Sequence, residues 1–431
     1  MAGLSGAAAL VAFLFASQAA AMPSGEAGNW RSDLRYMASE LEKTHKNLYH
    51  TVSRKDFAAL VAGLELRIPS LERHQVIVEM AKIVAAVADG HTNIYPTRDP
   101  KIAFRTLPVA FSFFGDHIYL RAVHESQWSL LGAQVLRIGD HNIADAYSVV
   151  RTMIGRDNDQ GARYWAPYLL AMPEVLHALG ITRSMEEIPV TLATSRGEET
   201  VILTPFEKVS IMSGDTATHF NRRPGWIDIR DRAGRPDPLW LRSTDNAFHF
   251  ERAGHLLYVQ INRVQDKPDE TLAQFAERLY REIRATRPKK VVFDLRLNRG
   301  GDGTLITPLI RSLIRSEGID RRGRLFGIIG PATFSAAQML ADAMEKYTNI
   351  TFVGEPTGSK GNAYGDSRKI VLPYSGITVR ASVYYWQDWH PLDKRDALIP
   401  RISAPLTFDA YRNNVDTALE AIEKVDPFSQ P

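Results

Sequence analysis

Ser335 lies in "PATFSAAQML" (residues 331–340), where an apolar run gives way to helical spacing. Two roles suit a hydroxyl at such a junction. With Gln338 three residues on, it matches the Ser-x-x-Gln capping box, whose side chains satisfy free N–H groups at a helix start. Alternatively it is a nucleophile, which needs a base and donors for the charge developing on the carbonyl under attack. The stretch "VVFDLRLNRGGDGTLI" (291–306) reads as a buried strand, a glycine turn and a helix, which aims backbone N–H groups at whatever sits above the strand end. It lacks the third glycine of GxGxxG and any Gly-Lys-Ser/Thr, so it does not carry the signature of a nucleotide loop. In a parallel sheet the Gly300–Gly301 turn and Ser335 gather at one carboxyl edge, where ligands bind. The N–H of Ala336 with one from Gly300 or Gly301 would there form an oxyanion hole.

Two residues could act as the base. Lys360, in "VGEPTGSKGNAYGD", serves only if burial lowers its pKa from about 10.4 toward roughly 7 to 8. Histidine as a residue type needs no such help, and in "ADGHTNIYP" a loop after a glycine presents His91 to a cleft.

The elements that must position these residues are legible in the apolar spacing. Trp30, Leu34, Met37, Leu41 and Leu48 recur with helical period, as do Val76, Met80, Ile83, Val84 and Val87. Ser70 is the expected cap of the second of these helices, and Asp89-Gly90 its expected stop. Short alternating runs follow from Leu107, closing in "IPVTLATSRGEETVILT", a hairpin around "TSRGEE". From Phe206 to about Asn246 the chain is rich in Arg, Asp, Gly and Pro and reads as a linker or connecting arm. Beyond it, "HLLYVQI", "KVVFDLRL", "LFGIIG" and "ITFVG" alternate with helices at about 270–285 and 305–315 and from Ser335, the order of a parallel sheet with crossover helices.

Composition narrows the function classes. Lys and Arg number 52 against 49 Asp and Glu, a net charge of +3, which is not the basic excess of a nucleic-acid binder. There is no cysteine, so disulfides, thiolate metal sites and a cysteine nucleophile are excluded. Residues 1–21, "MAGLSGAAALVAFLFASQAAA", are uncharged, apolar and end in small residues, as a secretory signal peptide does, and are too short to span a bilayer comfortably.

Taken together, "DGHT" at 89–92, "DLRLNRGG" at 294–301, "TFSAA" at 333–337 and "VGEPTG" at 353–358 stand in the order found in the tail-specific, or C-terminal-processing, serine peptidases, which the chain resembles. The resemblance implies an α/β protein: a crotonase-like parallel-sheet core at 247–431, an N-terminal helical domain at 22–104, and a degenerate PDZ-like domain at 105–206 with a helical insertion at 163–183. The arm at 207–246 would connect them. It also implies Ser335 as nucleophile, Ala336 and Gly300–Gly301 as oxyanion donors, and Lys360 as the lysine of the family's Ser–Lys branch. That branch reads GEKTFGKG, however, whereas "GEPTGSKG" is similar to the tricorn-like branch, in which an early histidine is the base, and His91 fits that place. The late acidic partner of such a histidine stays open among Asp388, Asp393 and Asp396.

The resulting expectation is an exported serine endopeptidase, periplasmic or extracellular, that acts through an acyl-enzyme on peptides or protein C-terminal regions. It needs no metal or organic cofactor, does not bind nucleic acid and has no stable membrane insertion; homo-oligomerisation stays open. The rival is a binding protein for apolar ligands or peptides on the same scaffold. The mature chain is expected to begin at or near Met22, and N-terminal sequencing that returns Met1 or Ala2 refutes export.

Overall fold

The computed structural model describes residues 22–208 and 222–426. The segment read as a signal peptide lies outside the described residues, as does part of the arm. Three helices come first: α1 (Ser24–Thr44), α2 (Arg54–Arg67) and α3 (Arg73–Ala85). The expected stripe Trp30, Leu34, Met37 and Leu41 is buried along α1. The cap of α3 is not Ser70, whose Oγ donates to the Arg67 carbonyl, but Glu72, whose N–H donates to Gln75 Oε1 at 2.9 Å in a capping box. The helix also stops short of Asp89-Gly90. Ala88 turns left-handed (φ 62°), and Asp89 Oδ1 takes the N–H groups of His91 and Thr92, a local side-chain alternative to further helix.

An antiparallel sheet follows, built from β1 (Val109–Phe114), β2 (His117–His124), β3 (Gln134–Ile138), β4 (Ile188–Thr194), β5 (Gly197–Leu203) and β6 (Trp226–Asp228). Its order is β6–β2–β3–β4–β5, with β1 on β2. The hairpin read at "TSRGEE" is β4–β5, with Thr194 opposite Gly197. Helix α4 (Ile143–Val150) lies between β3 and β4 in the chain, followed by α5 (Asp159–Leu170) and α6 (Pro173–Ala178). Helix α5 begins at Asp159, capped by the Asn158 side chain, which accepts from the Gly161 N–H at 3.0 Å. The arm is more than a tether: β6 pairs with β2, Asp228 is gripped by Arg121 and Arg230, and Trp240 is buried beneath Arg296.

The second sheet carries the edge that matters. Its strands are β7 (Phe248–Ala253), β8 (Leu256–Ile261), β9 (Lys290–Asp294), β10 (Leu325–Ile329) and β11 (Thr351–Gly354), with β14 (Ile402–Ser403) last, after the hairpin β12 (Asn362–Val371) and β13 (Thr378–Gln387). The order is β7–β8–β9–β10–β11–β14, parallel except for β7 on β8. Helices α7 (Leu272–Thr286), α8 (Thr307–Ile314) and α9 (Ala336–Tyr347) make the crossovers. Strands β8, β9 and β10 are buried along their whole length, as the continuous apolar runs of a covered parallel sheet require. The loops after β9, β10 and β11 thus meet at one end. The β12–β13 hairpin pairs with Asn93–Ile94, Asn93 lying opposite Arg380, which ties the loop after α3 to the C-terminal third.

His74 on α3 and His177 on α6 touch at 2.7 Å between ring nitrogens. Burial, then the neighbouring His177, pushes the His74 pKa down to about 4. The unfolded chain takes up this proton near pH 6.5, so stability is expected to fall as pH drops from about 6.5 to about 4 and to level off below, by on the order of 3 kcal/mol for this group. Denaturation midpoints against pH check this, and His74→Gln should flatten that part of the slope.

Candidate active site

Ser335 stands at the N-terminus of α9 with φ 56° and ψ −129°. These are the angles of the first central residue of a type II′ turn, a place dominated by glycine. Its side chain makes no capping hydrogen bond, and Gln338, the other half of the expected capping box, donates to Asp342 Oδ1 at 2.7 Å instead. The capping reading is therefore corrected. A strained turn from strand to helix is how a hydroxyl is held out of the backbone's own hydrogen bonding and exposed above a sheet.

What Ser335 Oγ meets is His91 Nε2, at 3.0 Å. The imidazole is held from several sides. Phe334 stacks on it with ring centroids 4.5 Å apart, and a Cβ on Gly90 would lie 2.6 Å from the Phe334 ring, so this packing needs glycine before the histidine. The His91 backbone is tied to Asp89 Oδ1, which also accepts from Ser382 Oγ on β13 at 2.8 Å, while Asp89 Oδ2 bonds His45 Nε2 at 2.7 Å. His45 Nδ1 accepts the Asn47 N–H, so the His45 proton sits on Nε2 and points at the carboxylate. Burial works to raise the Asp89 pKa, but the bonds from His45, Thr92 and Ser382 outweigh it and hold the group below the usual carboxylate range.

The backbone donors are equally defined. The N–H of Gly300 is committed to Asn298 Oδ1 at 2.8 Å, so of the two glycines the free donor is Gly301. The N–H groups of Gly301 and Ala336 have no partner among the described residues, and both residues line the cleft beside Ser335. Gly300 acts by its size. Its φ is 108°, and a Cβ there would sit 2.7 Å from Ser335 Cβ and 3.0 Å from the Ala336 nitrogen. The loop is pinned by Val264, whose N–H donates to the Gly300 carbonyl and whose carbonyl accepts from Asp302. Behind it, Arg296 bridges Asp294 and Asp416, and Tyr258 donates to Asp294 at 2.6 Å.

Lys360 lines the same cleft but is paired with Asp396 at 3.2 Å and partly exposed, and no hydrogen bond joins it to Ser335 among the described residues. Of the three acids left open, Asp396 holds Lys360, Asp393 holds Arg395, and Asp388 lines the cleft. None of them bonds the His91 ring, whose Nδ1 is buried without a partner among the described residues. The buried carboxylate beside the loop is Asp157, which sequence reasoning missed. It accepts from the Gly90 N–H and from Ser359 Oγ, each at 2.7 Å, and burial raises its pKa against the pull of His91 and Ser359.

No protein-family model matches the chain, and no curated protein sequence does either. Solved structures do. Mature CPAF in complex with lactacystin aligns over 93% of this chain and 98% of that one, with a TM-score of 0.62 at 11% identity. Its fold is similar to that of CPAF. A second structure of mature CPAF gives a TM-score of 0.61 at 11% identity over 93% of this chain and 97% of that one. The photosystem II D1 C-terminal processing protease aligns over 91% of this chain and 96% of that one at 14% identity, with a TM-score of 0.41.

Because Ser335 occupies a glycine-favouring backbone conformation and caps nothing, Ser335→Gly is expected to be at least as stable as Ser335→Ala, by up to about 1 kcal/mol. Chemical denaturation of the two variants checks this; a more stable alanine variant contradicts the strained turn.

Proposed function

We propose that the chain is a serine-type peptidase that cleaves peptides or protein C-terminal regions through an acyl-enzyme. The observation that carries this reading is the 3.0 Å contact between Ser335 Oγ, half-buried on a strained turn, and His91 Nε2. In the proposed reaction His91 takes the Ser335 proton as Oγ attacks the scissile carbonyl carbon. The carbonyl oxygen, now anionic, is received by the N–H groups of Gly301 and Ala336, which need no rearrangement to do so. His91 then gives the proton to the leaving amine as the C–N bond breaks, leaving an ester on Ser335. Water, deprotonated by His91, hydrolyses that ester and restores the hydroxyl.

In this reading Asp89 and Asp157 are positioning residues, because they fix the backbone of Gly90 and His91 rather than touch the reacting atoms. Lys360, held by Asp396, has no need to be neutral and is assigned no proton transfer. A purely binding protein gives no reason for a serine in a glycine conformation beside two unspent N–H groups. The parallel sheet with its crossovers is read as the crotonase-like core, the antiparallel sheet with α4 as the PDZ-like domain, and the protein as exported. Among the described residues no helix is long and apolar enough to cross a membrane.

Fluorophosphonate labelling at Ser335, lost in Ser335→Ala, is the direct test of the nucleophile. For the base, His91→Ala and Lys360→Ala are compared on one peptide across pH. His91→Ala is expected to lose at least about a hundredfold in kcat, whereas Lys360→Ala keeps the wild-type shape of the pH profile. Near-normal rates in His91→Ala with a dead Lys360→Ala would establish a Ser–Lys dyad instead.

A further inference from the structure

The cleft beside Ser335 has a volume of about 690 Å³, and its walls include Gln338, Met339, Lys360 and Asp388. Its polar groups fall into two sets. Asp302 holds Thr304, Asp366 accepts from Trp386, and Lys360 is paired with Asp396, so these are satisfied within the protein. Gln338 and Asp388 are not. Gln338 is 2% exposed, its amide N–H is spent on Asp342 Oδ1, and its Oε1 has no donor among the described residues. Asp342, behind it, takes Trp389 Nε1 on the same Oδ1 at 2.8 Å, and burial holds its pKa well above the usual carboxylate range. The half-buried Asp388 carboxylate has neither hydrogen bond nor ion pair among the described residues; its own N–H reaches the Gly361 carbonyl. Burial works to raise its pKa.

A carboxylate taken partly out of water without a donor is costly, and a ligand that supplies the protons relieves that cost. At Asp388 the cleft therefore leaves a half-buried carboxylate without a donor, while Met339 offers apolar surface along which an aliphatic stem can lie. Resting on the peptidase reading, we propose that the cleft receives a lysine or arginine side chain on a residue flanking the scissile bond, with Asp388 as its counter-charge. The three carboxylates on the wall against one ammonium already paired favour a cation over an anion. A basic head carries several N–H donors and no acceptor, which is what the unpaired Asp388 carboxylate requires.

The test separates binding from turnover. Peptides differing only at the two flanking positions, with lysine, arginine, norleucine or glutamate, are titrated against the Ser335→Ala protein by fluorescence anisotropy. Lysine or arginine at one position is expected to bind about tenfold tighter than norleucine, the size of one hydrogen-bonded charge contact. The preference should collapse in Ser335→Ala/Asp388→Asn, with circular dichroism confirming the fold. Equal affinity for lysine and norleucine overturns the proposal, as does a preference unchanged by Asp388→Asn. Wild-type protein that binds the lysine peptide selectively but hydrolyses none of the series refutes the peptidase reading while upholding the basic-side-chain site.

Discussion

A contact of 3.0 Å between two side chains 244 positions apart is what the rest of this structure serves. Neither group is useful alone, since a serine hydroxyl is a weak nucleophile and an imidazole on a loop has no fixed direction. The tolerance is a few tenths of an ångström, and flexible loops do not supply that. Here the histidine is clasped by stacking on Phe334, by Asp89 through its own N–H, and by Asp157 through the residue before it. Each of the two carboxylates ends on a different part of the chain: Asp89 on β13 and on His45 just after α1, Asp157 on the loop after β11.

That arrangement explains what the sequence disclosed and what it hid. The parallel sheet was legible because buried strands must be continuously apolar, and "KVVFD" and "LFGII" are. Ser335, Ala336, Gly301 and His91 could be named because a hydroxyl, glycines and an imidazole at loop junctions suggest chemistry on their own. Asp157 could not: a lone aspartate before a helix looks like a cap, and its role exists only because Gly90 and Ser359 fold onto it. Ser382 is hidden in the same way in "VRASVYYWQ", as is the whole β12–β13 hairpin, whose outer residues are exposed aromatics rather than an alternating apolar face. The errors of local reading share one cause. Ser70, Ser335 and the Asp89-Gly90 stop were judged by helix-end propensity, and at each place a tertiary partner or a side-chain turn took precedence.

The division of labour between Gly300 and Gly301 is a further case in which type was legible and role was not. Both are needed, one because its N–H is free and the other because no side chain fits against Ser335. Only the hydrogen bond from Gly300 to Asn298 distinguishes them, and Asn298 is fully buried in a loop whose shape depends on Val264 and, further back, on the Arg296 ion pairs. The proposed oxyanion site thus rests on layers of polar contacts that carry no local signature.

The clasp on Asp89 has a consequence for how the protein is made. Domains generally acquire structure from the N-terminus during synthesis, so the helical segment and His91 emerge long before the strand that carries Ser382. Until that strand is translated and paired with Asn93–Ile94, Asp89 lacks one of its donors and the His91 loop lacks its partner. A nascent chain that already displays Ser335 therefore lacks one of the clasps on the loop that carries its proposed base. On the proposed reading, the order of translation leaves the fully clasped site to form only when nearly the whole chain is present.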